Sequence, residues 1–291
     1  MKVHLLDGTY ELFRYHFGRP PGTRPDNDAD DVTGTRGVMW SVISLLEEGV
    51  THLAVATDHV VESFRNDLWP GYKSSVGMNQ AILGQFGLLE DCLGALGVKV
   101  WPMVELEADD ALAAGAATAA ADPRVEQVVI MTPDKDLAQA VTGTRVVQLD
   151  RRSGTVTDET GVVAKYGVAP GSIPDWLALV GDSSDGFPGL PGWGKKAAST
   201  VLARYRHLED IPSHPWRWEV EVRGRNALGA TLAEHRELAM LFRILATLRA
   251  DAKVLAGVDD LRWTGPTDGI ADVAARLRAP RLAEKATSLA R

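Results

Sequence analysis

Short apolar runs alternate with stretches of helical periodicity through the first half of the chain. Lys2 to Leu6, His52 to Ala56, Val98 to Trp101, Gln127 to Met131 and Arg145 to Leu149 are brief and apolar, so they read as buried strands. Between them Tyr10 to Phe17, Gly37 to Glu48, Ala81 to Leu96, Ala111 to Ala121 and Glu159 to Tyr166 carry apolar residues at helical spacing. Strands separated by helices predict a parallel α/β sheet. A Gly-, Pro- and Asp-rich loop is expected from Gly18 to Gly34. Beyond Tyr166 the pattern turns helical: a helix starts at Lys195 and runs to Tyr205, a Pro- and Trp-rich loop spans Ile211 to Trp218, and one amphipathic helix covers Leu228 to Leu248. The tail is weakly patterned, and no internal repeat or long linker is present.

Acids recur where these strands end. Asp7-Gly8 closes the first run, Asp58 the second, and Asp134 and Asp136 follow the fourth. Glu105-Leu106-Glu107-Ala108-Asp109-Asp110 precedes an Ala-rich helix, so Glu107 and Asp110 share a face with Asp109 beside them. Each acid alone is explained as a turn residue or a cap that complements a helix dipole. In open α/β sheets, however, functional groups collect at the carboxyl ends of strands. Clustered carboxylates also repel one another and favour cations between them.

The stretch Leu179 to Lys196, LVGDSSDGFPGLPGWGKK, joins two chemistries. Asp182 and Asp185 are three apart and can aim both carboxylates at one hard cation. The Gly-Leu-Pro-Gly-Trp-Gly run then turns tightly into a helix opening on Lys195 and Lys196, where N–H groups and ammonium groups would converge on a phosphate. Upstream, Arg65 and Lys73 sit among aromatic residues soon after a strand end, as phosphate ligands or as a solvated loop.

Composition narrows the class. The 291 residues predict roughly two domains, and 45% hydrophobic content is enough for a full core. No apolar run approaches ~20 residues and the N-terminus lacks a signal-peptide pattern, so a soluble cytoplasmic protein is expected. Cys92 is alone, which excludes an internal disulfide, and it fits a helical core position better than a catalytic thiol. The seven His residues show no metal spacing. A net charge of −8 argues against a nucleic-acid partner at first, but setting aside nine converging carboxylates leaves +1. Two Mg²⁺ or Mn²⁺ ions about 4 Å apart, held by such acids, suit phosphodiester hydrolysis.

LLDGTYELF, SFRNDLWPGYK, ELEADDALA, TPDKDLAQ and GDSSDGFPGLPGWGKKAA resemble, in order and at matching intervals from about Met1 to Tyr205, the motifs of the bacterial 5′-nuclease and flap endonuclease family, related to the 5′-nuclease domain of DNA polymerase I. The resemblance implies a PIN-like, resolvase-like parallel sheet flanked by helices over residues 1–170, with an arch or gateway near 62–95. It implies a C-terminal helical region over 171–291 containing a helix-three-turn-helix. Asp7, Asp58, Glu107, Asp109, Asp110 and Asp134 would serve mainly a tightly held metal, and Asp136, Asp182 and Asp185 a second. Arg65 and Lys73 match positions that approach the scissile phosphate. Gly189, Pro191, Gly192, Gly194, Lys195 and Lys196 would grip duplex phosphates, with K⁺ a candidate occupant of that motif.

The implied reaction is 5′-3′ exonuclease and 5′-flap cleavage by a monomer, leaving 5′-phosphate and 3′-hydroxyl ends. Its implied substrates are nicked, flapped or 5′-ended duplexes, RNA primer–DNA hybrids among them, in replication and repair. The text departs from the family after Lys73, where SSVGMNQAILGQF replaces a small residue, an Arg and a Pro-rich acidic start to a helical arch, which puts the threading of single strands in question. Gly186 replaces a common Asn, Trp193 an Ile and Ala197 a Thr. Competing readings are a DNA-structure binder without catalysis, which has no reason to keep nine clustered carboxylates, and a smaller PIN-like ribonuclease, which would lack Pro188 to Lys196. Asp7-Gly8-Thr9 resembles a phosphatase motif only in part, because the second Asp is missing.

Overall fold

A computed structural model describes residues 1–18 and 30–290. The chain opens with β1 (Lys2–Asp7), α1 (Gly8–Phe17), α2 (Thr33–Glu47), β2 (Leu53–Asp58), α3 (Phe64–Leu68), α4 (Gln80–Leu83) and α5 (Gln85–Ala95). It continues with β3 (Lys99–Met103), α6 (Ala108–Ala121), β4 (Gln127–Met131), β5 (Val146–Asp150), β6 (Thr155–Thr157) and α7 (Glu159–Tyr166). The remainder is helical: α8 (Ile173–Val180), α9 (Lys195–Tyr205), α10 (Arg225–Glu234), α11 (Arg236–Ala246), α12 (Ile270–Arg276) and α13 (Pro280–Leu289).

Two compact units form. The first combines Met1–Val61, Ser75–Thr132 and the chain from Ala250 onward; the second combines Glu62–Ser74 and Pro133–Arg249. The chain thus crosses between units more than once, and the 62–95 stretch is divided at Ser74.

In the first unit four parallel strands lie in the order β3-β2-β1-β4, with Asp7 beside Ala56 and Asp58 beside Met103 in register. Parallel pairing puts every carboxyl end on one edge; the apolar runs of β1, β2 and β4 are largely buried on both faces, while the edge strand β3 buries only Trp101. Gly8 is required where β1 turns into α1: a Cβ there would lie 2.6 Å from Val55 Cγ1 and 2.8 Å from the Ala56 carbonyl. The Ala-rich α6 can lie close to this sheet because its small side chains leave little bulk between backbones. From Ala250 onward the tail is not loose. Trp263 donates its backbone N–H to Thr51 and its indole N–H to the Leu96 carbonyl, each 2.8 Å. Leu277 and Leu282 are fully buried.

In the second unit β5 and β6 form an antiparallel pair, Gln148 facing Thr157. Helices surround a core that includes Trp176, Phe187, Trp193 and Phe242. Its α8 is buried on almost every side, so no polar stripe marks it in the sequence.

Several element bounds shift by one to four residues from the periodicity, and three of the differences have a local cause. α2 begins at Thr33, four residues before Gly37, because Asp31 Oδ1 accepts from the Thr33 N–H (3.0 Å) and starts the turn; the Gly18–Gly34 loop otherwise falls largely outside the described residues. The Ala81–Leu96 stretch breaks at Gly84. The Leu228–Leu248 stretch breaks at His235, whose backbone leaves the helical range at φ −110, ψ 27.

Candidate metal centre

On the first unit, the expected acids sit at the carboxyl edge of the sheet and also act as caps. Asp7 accepts the Tyr10 N–H at 2.8 Å with Oδ1 and the Thr132 hydroxyl at 2.9 Å with Oδ2. Asp58 Oδ1 accepts the Ala108 N–H (2.8 Å) at the start of α6. Glu107 and Asp110 form a reciprocal capping box, the Glu107 N–H donating 2.9 Å to Asp110 Oδ2. Asp7, Glu107 and Asp110 are buried, and Asp109 is half-buried. The capping explanation and the metal explanation are therefore compatible. A helix start fixes a carboxylate's direction, which is what a preorganised ligand needs.

The second unit holds the tightest group. One carboxylate oxygen from each of Asp136, Asp182 and Asp185 lies within 4.8 Å of the others. Local backbone hydrogen bonds aim them. Asp134 Oδ1 accepts the Asp136 N–H (2.8 Å), and Gln148 Nε2 donates to the Asp134 carbonyl (2.7 Å), which ties the loop after β4 to β5. Asp182 closes a turn: its carbonyl accepts from Gly186 N (2.9 Å) and Phe187 N (3.0 Å), and its Oδ1 accepts from Ser184 N (3.0 Å). Gly186 serves this turn with φ +83, where a side chain would strike the Gly71 carbonyl. The same turn holds Asp185, whose Oδ2 accepts from the Tyr72 hydroxyl at 3.3 Å.

Oxygen-only donors of this kind suit a hard divalent ion. Two further observations fit one. Asp136 Oδ1 and Asp182 Oδ2 are buried and, apart from the ammonium of Lys135, have no hydrogen-bond partner, so a cation is what balances them. Burial, and then the neighbouring Asp134 and Asp185 charges, push the Asp136 carboxyl well above its usual range, while Lys135 pulls the other way. Asp134 is raised too, first by burial, against the opposing effect of the Asp136 N–H and Lys135.

Among the expected cations, Lys73 belongs to this group, with Nζ 3.4 Å from Asp185 Oδ1 and its backbone N–H 3.1 Å from the Asp185 carbonyl. Arg65 is placed differently. Only 1% exposed, it donates Nε to the Leu245 carbonyl (2.8 Å) and Nη2 to that of Thr247 (3.1 Å), so its guanidinium is tied to the end of α11. Lys135 carries no role in the sequence reading, yet its Nζ lies 2.5 Å from Asp182 Oδ2 and 3.8 Å from Asp136 Oδ1. A Lys flanked by two acids after a strand was the signal available. Burial alone would lower its ammonium, but Asp136, Asp182 and Asp134 overcome that and hold it above its ordinary value.

The Gly-rich turn follows directly. Gly189 is buried with φ +69 against the end of α8, while Pro191, Gly192, Gly194, Lys195 and Lys196 are exposed. No side chain caps α9, whose first N–H groups follow Gly194. A cleft of about 620 Å³ is lined by Lys135, Asp182, Ser184, Pro188, Gly194 and Lys195, so the acids and the α9 start share one depression. Cys92 is buried, which pushes its thiol up to about 12 and makes it a core residue.

A parallel sheet edged with acids, and a helical unit with an oxygen-donor cluster and an uncapped basic helix start, define a resolvase-like class. Sequence models of that class match: 5′-3′ exonuclease, N-terminal resolvase-like domain, over residues 2–167, and 5′-3′ exonuclease, C-terminal SAM fold, over residues 168–269. The chain belongs to the 5′-3′ exonuclease family. A 5′-3′ exonuclease of Buchnera aphidicola is 30% identical, covering 86% of this chain and 82% of its own. DNA polymerase I of Pseudomonas aeruginosa is 33% identical over 88% of this chain, which spans only 28% of the polymerase. The fold resembles that of T5 5′-exonuclease with bound zinc (TM-score 0.66, 18% identity, 99% and 97% of the two chains). It also resembles the catalytic core of Rad2 in complex with DNA substrate (TM-score 0.64, 16% identity, 100% and 92%). No helix among the described residues is long and apolar enough to cross a membrane.

Proposed function

We propose that this chain hydrolyses DNA phosphodiesters as a divalent-metal-dependent 5′ nuclease, acting on 5′ ends, nicks and flaps in replication and repair. The observation that carries the reading is the group formed by Asp136, Asp182 and Asp185, with two buried carboxylate oxygens that have no partner apart from the Lys135 ammonium. These three would hold one Mg²⁺ or Mn²⁺ ion; Asp7, Asp58, Glu107, Asp109, Asp110 and Asp134 supply carboxylates for a further one, as the family resemblance implies. Bound divalent ions supply Lewis acidity toward water and the leaving oxygen. The chain's own groups do the rest. Lys73, a third exposed, is placed beside the acids to draw the scissile phosphate against their repulsion. The turn from Gly189 to Lys196 is proposed as the helix-three-turn-helix, in which N–H groups and Lys195 and Lys196 hold duplex phosphates without reading bases; K⁺ is a candidate ion there. Arg65 is proposed as a positioning residue that fixes the Lys73 segment to α11.

The region expected to form an arch supports a preference. α4 is four residues long, and α5 buries Leu88, Leu89, Cys92 and Leu93 in the first unit. With so little helix standing free, a flap is proposed to be cut without threading its 5′ end. The experiment is cleavage of end-labelled flap, nicked and blunt duplexes in Mg²⁺, Mn²⁺ or chelator, with one flap carrying a bulky 5′ block. Chelator-sensitive cleavage near the junction, blocked flap included, is expected. Tight DNA binding with no cleavage in either metal would favour the non-catalytic binder instead.

A further inference from the structure

The Lys135 ammonium occupies the place where a cation belongs. Its Nζ faces Asp182 Oδ2 at 2.5 Å and Asp136 Oδ1 at 3.8 Å. Those two oxygens are buried and have no hydrogen-bond partner apart from this ammonium. Asp182 and Asp136 are 4% and 6% exposed, so neither can turn to bulk water for compensation. A divalent ion bound by these carboxylates would sit about 2.0–2.6 Å from the same oxygens. Two cations cannot share that volume: at such separation their repulsion, even with a screened effective dielectric, is several times thermal energy.

The lysine can leave. Its side chain is 33% exposed and lines the open cleft that also holds Ser184 and Lys195, and its four-carbon stem rotates freely compared with the Asp182 carboxylate, which the Ser184 N–H holds in place. We infer that Lys135 is a tethered competitor of the divalent ion at the Asp136–Asp182 pair: the ion binds only by displacing the ammonium into the cleft, and the ammonium returns when the ion departs. The lysine balances the buried charge in the metal-free protein and weakens the ion's hold, so that occupancy of this position tracks divalent-ion concentration. The inference rests on the metal-centre reading above.

The test counts Mn²⁺ bound to the full chain by electron paramagnetic resonance, with no DNA present, in wild type and Lys135→Met. The variant is expected to bind its weaker ion about tenfold more tightly or better, because one positive charge beside two carboxylates is gone. Unchanged or weaker Mn²⁺ binding in a folded variant overturns the inference and leaves the metal centre standing. Wild type that binds no Mn²⁺ at all sinks the metal-centre reading itself. Should Lys135→Met not fold, wild-type protein decides: labelling of Lys135 by an amine-reactive reagent should rise several-fold when Mn²⁺ replaces chelator. Labelling that is unchanged or falls overturns the displacement.

Discussion

Arg65 Nε lies 2.8 Å from the carbonyl of Leu245, 180 residues along the chain. With Nη2 on Thr247 (3.1 Å), one buried guanidinium satisfies carbonyls at the end of α11, where a helix leaves such groups without partners and a positive charge is favoured. Arg65→Ala should therefore act on folding. Leaving two buried carbonyls unpaired is expected to cost about 2–3 kcal/mol, with Arg65→Lys recovering only part because an ammonium lacks the planar fork. Lys73→Ala should do the reverse: under about 1 kcal/mol in stability, as for a partly exposed ion pair, with a large loss of cleavage. Urea unfolding beside single-turnover cleavage separates the two. Equal stability of Arg65→Ala and wild type would contradict the anchoring role.

The acid cluster should make stability depend on pH and metal together. Both Asp134 and Asp136 are raised in the folded protein. Their contribution is therefore fully present below the unfolded carboxyl value of about 4 and is lost as pH rises through the raised folded values. Lys135 is raised as well, so its contribution persists below the ordinary lysine value and is constant near neutrality. In chelator the melting temperature of wild type should fall, as pH rises above about 4, relative to Asp136→Asn. Each kcal/mol is worth on the order of 2–4 °C. Mg²⁺ should raise the wild-type value by more than that of Asp136→Asn, which keeps the carboxylates of the first unit. Cleavage by Asp136→Asn or Asp182→Ala should drop beyond the ~10–100-fold typical of losing an outer partner. A metal-independent melting curve in wild type would count against the centre.

Much of this was legible because local rules and the fold agree. β4 and α7 have the bounds that their periodicity predicts, and every strand with a terminal acid delivers it to a turn or helix start. What was not legible depends on partners far away in sequence. Arg65 reads as a surface phosphate ligand until α11 is folded onto it. The break at His235 has no Gly or Pro to announce it, and α8 has no polar face to give it a period. Lys135 looks like a charged loop residue between two acids, since its shortest ion pair, to Asp182, depends on the turn from Asp182 to Phe187.

The Gly-rich turn predicts a separable defect in DNA binding. Lys196 is exposed in the first turn of α9, where no side chain competes for the N–H groups. Lys196→Ala should weaken duplex binding by a similar factor whatever the sequence, and reduce the slope of log affinity against log salt by about 0.9 for one lost phosphate contact. Mn²⁺ affinity should stay as in wild type, because Lys196 is not among the groups facing the acids. Anisotropy titrations at several salt concentrations measure both quantities. An unchanged slope would mean that Lys196 does not meet the backbone.

The tail from Ala250 onward is a structural part of the first unit, although its sequence is weakly patterned. Arg262 bridges to His52, Trp263 bonds to Thr51 and Leu96, and Thr267 N donates to the Ala95 carbonyl at 2.9 Å, so the tail closes over the ends of β2 and α5. Gly97 and Gly265 meet so closely there that a Cβ on Gly97 would strike the Gly265 carbonyl. Leu282 of α13 is fully buried in a unit that also contains α2. Leu282→Ala should cost about 2–5 kcal/mol through lost burial and a cavity. Truncation after Arg249 should yield an aggregating or protease-sensitive chain, because it uncovers Leu96, Val98 and the apolar face of α2. Limited proteolysis and calorimetry of both variants check this. A truncated chain that melts like wild type would show that the first unit closes its core without α12 and α13, and would return the tail to the status of an appendage.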